Sequence, residues 1–366
     1  MRTLEGYSPR RGLSIPCVTA LDPDGRPHDE DQRRLVRFLV GGGRGADVIF
    51  VMGTTGEWNR LPADARHRAI RVCVEEVRKQ NAALELDPGE AVEAWVGVTA
   101  RSTAETLETL ELALEVGADA AVLAPLAVGD AADPVRLVAR DVADFLDARS
   151  RRLPVFLYDN AEIAAGEVGH LRTRWVKALS RLDFVRGIKV TAAPRRLGHY
   201  AKAARQFRDL GAFGFYVGNP PYVLEWMRPR QGAWGKLVEH WNRFLLHDLL
   251  PTGVVAGPAN LWPREWQRAW QVAQAGDIER TDQLAALFER FGASYRFAQG
   301  KRSLAALKRG LRLRGVLSCD AVAPGTPELD AAQGRRFDAE FEALLGQVRH
   351  SLPPRWVSRN QDANER

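Results

Sequence analysis

A chain of 366 residues is long enough for one large domain with an extension, or for two ordinary domains. With 45% hydrophobic and 27% charged residues it has the composition of a globular protein, which excludes the disordered and low-complexity classes. The net charge of +6 comes from 52 Lys and Arg interleaved with 46 acids, so no basic block points to nucleic acid; the densest stretch, 302–314, alternates with Leu, Ala and Gly and is expected to be a solvated helix face.

Cys17, Cys73 and Cys319 are widely spaced, odd in number and without a CxxC pair. That pattern argues against a disulfide framework or a zinc site and for a reducing, cytoplasmic home. No apolar run reaches the roughly 18 residues that a membrane helix needs, and the opening MRTLEGYSPRRG has charge but no apolar core, so neither a membrane span nor an export signal is expected.

Eight short apolar runs follow in order: SIPCVT from Ser14, DVIFVM from Asp47, EAWVGV from Glu93, DAAVLA from Asp119, PVFLY from Pro154, FVRGIK from Phe184, FGFYV from Phe213 and GVVAG from Gly253. They lack polar alternation, so they predict strands buried on both faces. Helix-period segments separate them, which predicts right-handed βαβ units in a parallel sheet. In the third unit Ser102 and Glu105 form a capping box, Leu107, Leu110 and Leu114 make the apolar stripe, and Gly117 stops the helix. Ile70, Val74 and Val77 repeat the stripe in the second. Eight units over 12–262 predict a (β/α)8 TIM barrel, with a doubly wound open sheet as the rival.

After Pro263 the pattern is helical only. Candidate helices lie near 265–275, 278–291, 303–311 and 334–348, and together they predict a C-terminal helical extension over 263–350. The polar tail 351–366 is expected to be disordered. Residues 229–251 interrupt the regularity; Trp234, Trp241, Phe244 and Leu245 there are expected to pack as helix, with a lid or an oligomer contact as alternatives. His240 and His247, beside Glu239 and Asp248, stand seven apart with no third convergent ligand, so no metal site is expected from them.

In a parallel barrel the chemistry sits where strands end, which directs attention to polar residues closing the apolar runs. The second run leads into Gly53, Thr54, Thr55, Gly56 and Glu57; the fifth ends at Tyr158, followed by Asp159 and Asn160; the sixth ends at Lys189. A lysine in a barrel mouth is desolvated, which favours the neutral amine, and a neutral amine can attack a ketone to form a Schiff base. Alone, such a lysine more commonly lays its stem on the barrel and snorkels its ammonium to solvent. Tyr158, one strand away, supplies a phenol that can shuttle protons, although buried tyrosines are commonly packing residues. The two glycines of GTTGE let backbone amides turn toward a ligand, and its two hydroxyls add donors, which suits a carboxylate; a plain turn is the alternative.

Together these segments resemble the dihydrodipicolinate synthase and N-acetylneuraminate lyase family. The likeness is carried by LSIPCVTALDPDGRPHD, MGTTGEWNRLPADAR, WVGVTARSTAET, LYDN, GIKVTA and GVVAGPANLWP, in family order from about residue 12 to 263. The resemblance implies a class I aldolase-type lyase or dehydratase, a barrel commonly assembled as a homotetramer, acting on pyruvate or another 2-oxo acid without metal or organic cofactor. It assigns the imine to Lys189, the proton-relay phenol to Tyr158, and the substrate carboxylate to Thr54 and Thr55 within the turn bounded by Gly53 and Gly56. Asn260 matches a family asparagine and is expected to tie the last strand to the extension.

The departures concern the other half of the substrate. Dihydrodipicolinate synthase ends its fourth strand with tyrosines, one extending the relay across a subunit interface, where this chain reads Ala124, Pro125, Leu126, Ala127. Its arginine for the second substrate's carboxylate has no counterpart in Asp159, Asn160, Ala161, Glu162, Ile163, and Glu162 would bring negative charge instead. A substrate less acidic at its distal end is expected, such as a deoxy-sugar acid or an aromatic aldehyde adduct of pyruvate. The competing expectation is a catalytically degenerate barrel that binds a 2-oxo acid or sugar acid as a regulatory or structural subunit.

Overall fold

The computed structural model of the chain describes residues 4, 6–149, 152–192, 199–200, 203, 210–218, 223–224, 227, 232–235, 237, 251–296 and 303–351. Eight parallel strands close into a barrel in chain order: β1 (Gly12–Pro16), β2 (Val48–Val51), β3 (Glu93–Gly97), β4 (Ala120–Leu123), β5 (Val155–Asn160), β6 (Val185–Thr191), β7 (Gly214–Val217) and β8 (Gly253–Val255), with β8 paired back to β1. The expected (β/α)8 barrel is therefore present and the open sheet is not. Apart from Arg186 and Thr191, every strand residue is buried, as unbroken apolar runs require.

Helices α1 (Asp29–Val40), α2 (Ala63–Ala83) and α3 (Thr103–Glu115) cover the outside of the first half. Helix α4 runs Pro134–Arg136, passes through a π-helical stretch Leu137–Val142 and continues Ala143–Ala148; α5 is Thr173–Leu179. Half of the expected capping box is present in α3: the Ser102 hydroxyl accepts from the Glu105 amide at 3.2 Å, while the Glu105 carboxylate pairs with Arg66 at 3.2 Å, and Gly117 takes the left-handed conformation past the end. Four more helices follow β8: α6 (Pro263–Gln274), α7 (Ile278–Arg296), α8 (Ser303–Leu313) and α9 (Ala331–Ser351). No helix among the described residues is long and apolar enough to cross a membrane. Trp241, Phe244, Leu245, His240 and His247 lie outside the described residues, as does the tail from 352; Trp234 sits on a helical segment and is 75% exposed.

The lower interior is filled by aromatic rings. Trp95 stacks on Phe156 with centroids 4.2 Å apart, and Tyr216 meets both edge-on at 4.9 and 5.5 Å. Room for them comes from a glycine on the neighbouring strand: a Cβ on Gly187 would stand 2.4 Å from the Phe156 ring. At the lower edge of that layer the β5–β6 register slips. Val155 pairs with Val185, but Phe156 pairs with Gly187, so Arg186 is an extra residue and the alternation of β6 shifts by one. Directly opposed residues share a face, so Tyr158 and Lys189, which pair, point together into the barrel.

Asn260 is fully buried, and its partners correct the expected role. Its side chain accepts from the Val18 amide at 3.2 Å and donates to the Pro16 and Gly257 carbonyls at 2.8 Å each. It therefore ties the exit of β8 to the exit of β1, across the seam that closes the barrel, and not to the helical extension.

The link between extension and barrel is charged. Lys308 on α8 is fully buried and donates to Glu57 at 2.6 Å and to the Ala321 carbonyl at 2.8 Å. The other Glu57 oxygen accepts from the Ala323 amide at 2.7 Å and the Thr326 hydroxyl at 2.8 Å. The described part of stretch 302–314, from Ser303, is thus no simple solvated face, as its alternation suggested: Lys308 lies on the buried side of α8, and Arg309 pairs with Asp338 on α9 at 2.6 Å and with Asp320 at 3.3 Å. Burial pulls the Lys308 amine below its ordinary pKa, and Glu57 acts in the opposite direction. Breaking this pair leaves a buried charge uncompensated. Lys308→Met is expected to cost about 3–5 kcal/mol in urea denaturation, with Glu57→Gln/Lys308→Met recovering much of the loss. Equal stability of the single variant and the wild type would contradict this.

Candidate active site

Three strand ends, those of β2, β5 and β6, converge at the upper mouth. After β2 the chain turns through a 3-10 segment, Thr54–Gly56, in which the amides of Gly56 and Glu57 bond to the carbonyls of Gly53 and Thr54 at 2.9 and 3.1 Å. The amides of Thr54 and Thr55 are not used in the turn. The expected reason for its glycines needs correcting. The left-handed conformations fall on Met52 (φ 56°) and Glu57 (φ 61°), which flank the turn, while Gly53 has φ −79°. Gly53 is required by contact: a Cβ there would lie 2.7 Å from the Phe50 ring. Met52 and Glu57 thus hold a conformation that costs of order 1 kcal/mol each, and the buried pairing of Glu57 with Lys308 fixes it.

Lys189 is 6% exposed, and its Nζ lies 3.6 Å from the centroid of the Tyr158 ring and 5.2 Å from that of Phe50. Tyr158, 5% exposed, has its phenol oxygen 3.2 Å from the Thr54 hydroxyl and 3.1 Å from Asn160 Nδ2, which donates to it. Burial works against the phenolate, but the charge of Lys189 and the hydrogen bonds from Thr54, Lys189 and Asn160 prevail, and the phenol lies below its ordinary pKa. Tyr7 and Tyr216, buried lower in the barrel, show the opposite: burial and the nearby Glu93 carboxylate push both well above it.

Lys189, Tyr158 and Thr54 are therefore brought together, with Thr55 beside Thr54 in the same turn. Asp159 alternates to the outer face, where its carboxylate accepts from the Leu171 amide at 2.6 Å and the Tyr200 hydroxyl at 2.9 Å and lies 2.7 Å from His170 Nδ1. It anchors the loop that follows β5. Leu126, in the short turn Pro125–Ala127 after β4, accepts through its carbonyl from the Ala165 amide at 2.8 Å, and Leu126 and Ile163 both pack partly buried against the core. Glu162 does not bring its charge inward as anticipated: its side chain is exposed and its amide bonds to Asn160 Oδ1 at 3.1 Å.

Asn160 and Glu57, though they fall at the polar strand ends, are assigned no part by the sequence, and neither is Lys308. Asn160 stands two residues after Tyr158 on a strand, so the period of two already put both on one face. Lys308 falls among Leu304, Leu307 and Leu311 at helical spacing, and a lone charge in an apolar stripe asks for a partner.

The site can be compared with known proteins. The model of the dihydrodipicolinate synthetase family matches residues 9–197, more than half of the chain. A 4-hydroxy-tetrahydrodipicolinate synthase from Ralstonia nicotianae is 26% identical over 270 residues, covering 73% of this chain and 76% of the relative. Among solved structures, dihydrodipicolinate synthase from Bacteroides thetaiotaomicron superposes with a TM-score of 0.71 at 22% identity, over 92% of this chain and 99% of that one. A prophage protein of the dihydrodipicolinic acid synthase family from E. coli K12, solved in complex with pyruvate, gives 0.69 at 19% identity over 91% and 98%. The similar folds, the matching sequence and the polar strand ends agree: this chain belongs to the dihydrodipicolinate synthetase family, whose members include lyases.

Proposed function

We propose that this protein is a class I lyase that forms a Schiff base between Lys189 and a 2-oxo acid of the pyruvate type. The observation that carries the reading is the placement of the Lys189 amine against Tyr158, whose phenol is in turn bonded to Thr54. A phenolate takes one proton from the lysine ammonium, and the freed amine bonds to C2 of the 2-oxo acid. The carbonyl oxygen then receives that proton, followed by a second from the nitrogen by way of the phenol. It leaves as water. The product is a protonated imine, and Tyr158 ends as it began. The imine withdraws electrons from the adjacent carbon, which permits carbon–carbon cleavage or loss of a proton there. The amides of Thr54 and Thr55, which the turn leaves unused among the described residues, and the Thr55 hydroxyl are the groups we assign to the substrate carboxylate.

The acceptor half is proposed to lack a carboxylate at its far end. Leu126 and Ile163, in the turns after β4 and β5, are partly buried apolar residues packed against the core, and the exposed Glu162 adds no cation. Condensation with aspartate semialdehyde is disfavoured on that ground; a deoxy-sugar acid or an aromatic aldehyde adduct of pyruvate fits better. A degenerate, merely binding barrel has no use for an amine and a low-pKa phenol in contact, so the catalytic reading is preferred. We propose a cytoplasmic home, in keeping with the free thiols of Cys17, Cys73 and Cys319. We also propose a homo-oligomer, to which the exposed Trp234 and Leu237 offer apolar surface, with no metal, cofactor or nucleic acid as partner. Sedimentation velocity is expected to show an assembly larger than the monomer, and a monomer at micromolar concentration would count against it.

Incubation with pyruvate and borohydride, followed by peptide mass spectrometry, is expected to place a reduced adduct on Lys189 and to give none in Lys189→Ala. Labelling of another lysine, or of none, would sink the mechanism.

A further inference from the structure

Asn160 does more than fill space beside Tyr158. Its amide has one possible orientation, because Oδ1 accepts from the Glu162 backbone N–H at 3.1 Å, which leaves Nδ2 to face the phenol oxygen at 3.1 Å. Nδ2 can only donate. The phenol must therefore receive a hydrogen bond from Asn160, and its own proton has to lie toward Thr54 Oγ1, 3.2 Å away. An ionised phenol in this place has the same donor already aimed at it, from a residue that is itself 7% exposed and held at its other end by backbone.

We propose that Asn160 is a positioning residue for the reaction: it directs the Tyr158 proton toward the reacting groups and holds the phenol in its proton-accepting form. The inference rests on the reading of Tyr158 as the proton shuttle. An amide neither takes up nor releases a proton at ordinary pH, so proton transfer through Tyr158 has one outlet, toward Thr54 and the substrate, and none past Asn160. The charged group facing the phenol is Lys189 from β6; Thr54 from the β2 turn and Asn160 on β5 are neutral, and Glu57 is committed to Lys308. The sign follows. Removing a donor from the phenolate raises its pKa, and placing a carboxylate there raises it further.

Two measurements on the full chain test this. Ultraviolet difference titration of the ligand-free protein, with Tyr158→Phe identifying the signal, reports ionisation of the phenol. Exchange of the pyruvate methyl protons with D2O, followed by NMR, reports proton removal from the imine. The titration midpoint is expected to move up by about one pH unit in Asn160→Leu and further in Asn160→Asp, and the alkaline rise of the exchange rate is expected to move with it. Absence of exchange dependent on Lys189 in the wild type would overturn the imine reading. With that exchange present, an unmoved midpoint in Asn160→Leu, or a reversed order of the two variants, would overturn the role of Asn160. If Asn160→Leu does not fold, Asn160→Asp, close to isosteric, carries the test alone through its upward shift.

Discussion

In a parallel pair of strands, residues directly opposite each other look to the same side, so the one-residue slip between β5 and β6 decides which side chains enter the barrel. Below the slip Val155 faces Val185; above it Tyr158 faces Lys189 and Asn160 faces Thr191. Were the register unbroken, Arg186 would pair with Phe156 and Lys189 would share a face with Asp159, whose carboxylate sits outside among His170, Leu171 and Tyr200. The contact of amine and phenol thus follows from backbone register before any side-chain preference acts. Gly187, whose missing Cβ makes way for Phe156, lies at that point.

A second constraint reaches the site from the other end of the chain. The turn after β2 depends on Glu57 keeping a left-handed conformation, and Glu57 is held by Lys308, Ala323 and Thr326, all from the region beyond the barrel. Asp31 on α1 makes a similar bond, accepting from the Ser318 amide and hydroxyl at 2.6 Å. The C-terminal helices are therefore part of what shapes the mouth. Burying a charged pair stabilises little by itself, but once it is buried neither partner can leave without a large penalty, which suits a turn that has to hold its shape.

Much of this was legible in the sequence. Unbroken apolar runs separated by helical segments gave the barrel, and the N-cap at Ser102 placed the start of α3 to the residue. The polar strand ends marked Lys189, Tyr158 and Thr54 as neighbours because, in this fold, strand ends are the only places where the chain meets a common cavity. What could not be read has a common physical cause. The register slip at Arg186, the pairing of Glu57 with Lys308 251 residues away and the inter-strand role of Asn260 are all tertiary, and no local pattern encodes a partner that distant. The glycines of the turn show the same limit: sequence suggested conformational freedom, whereas Gly53 is small because Phe50 is close. Asn160 was within reach of the strand period and lacked only the orientation that Glu162 gives it.

The central claim is that Lys189 and the turn after β2 hold opposite ends of one 2-oxo acid. A crystal structure of the protein soaked with pyruvate tests it most directly. Continuous electron density is expected from Lys189 Nζ to C2 of pyruvate, with the carboxylate against the amides of Thr54 and Thr55 and the Tyr158 phenol beside the imine. Pyruvate bound away from Lys189, or beside it without a covalent link at a pH where the phenol is ionised, would contradict it.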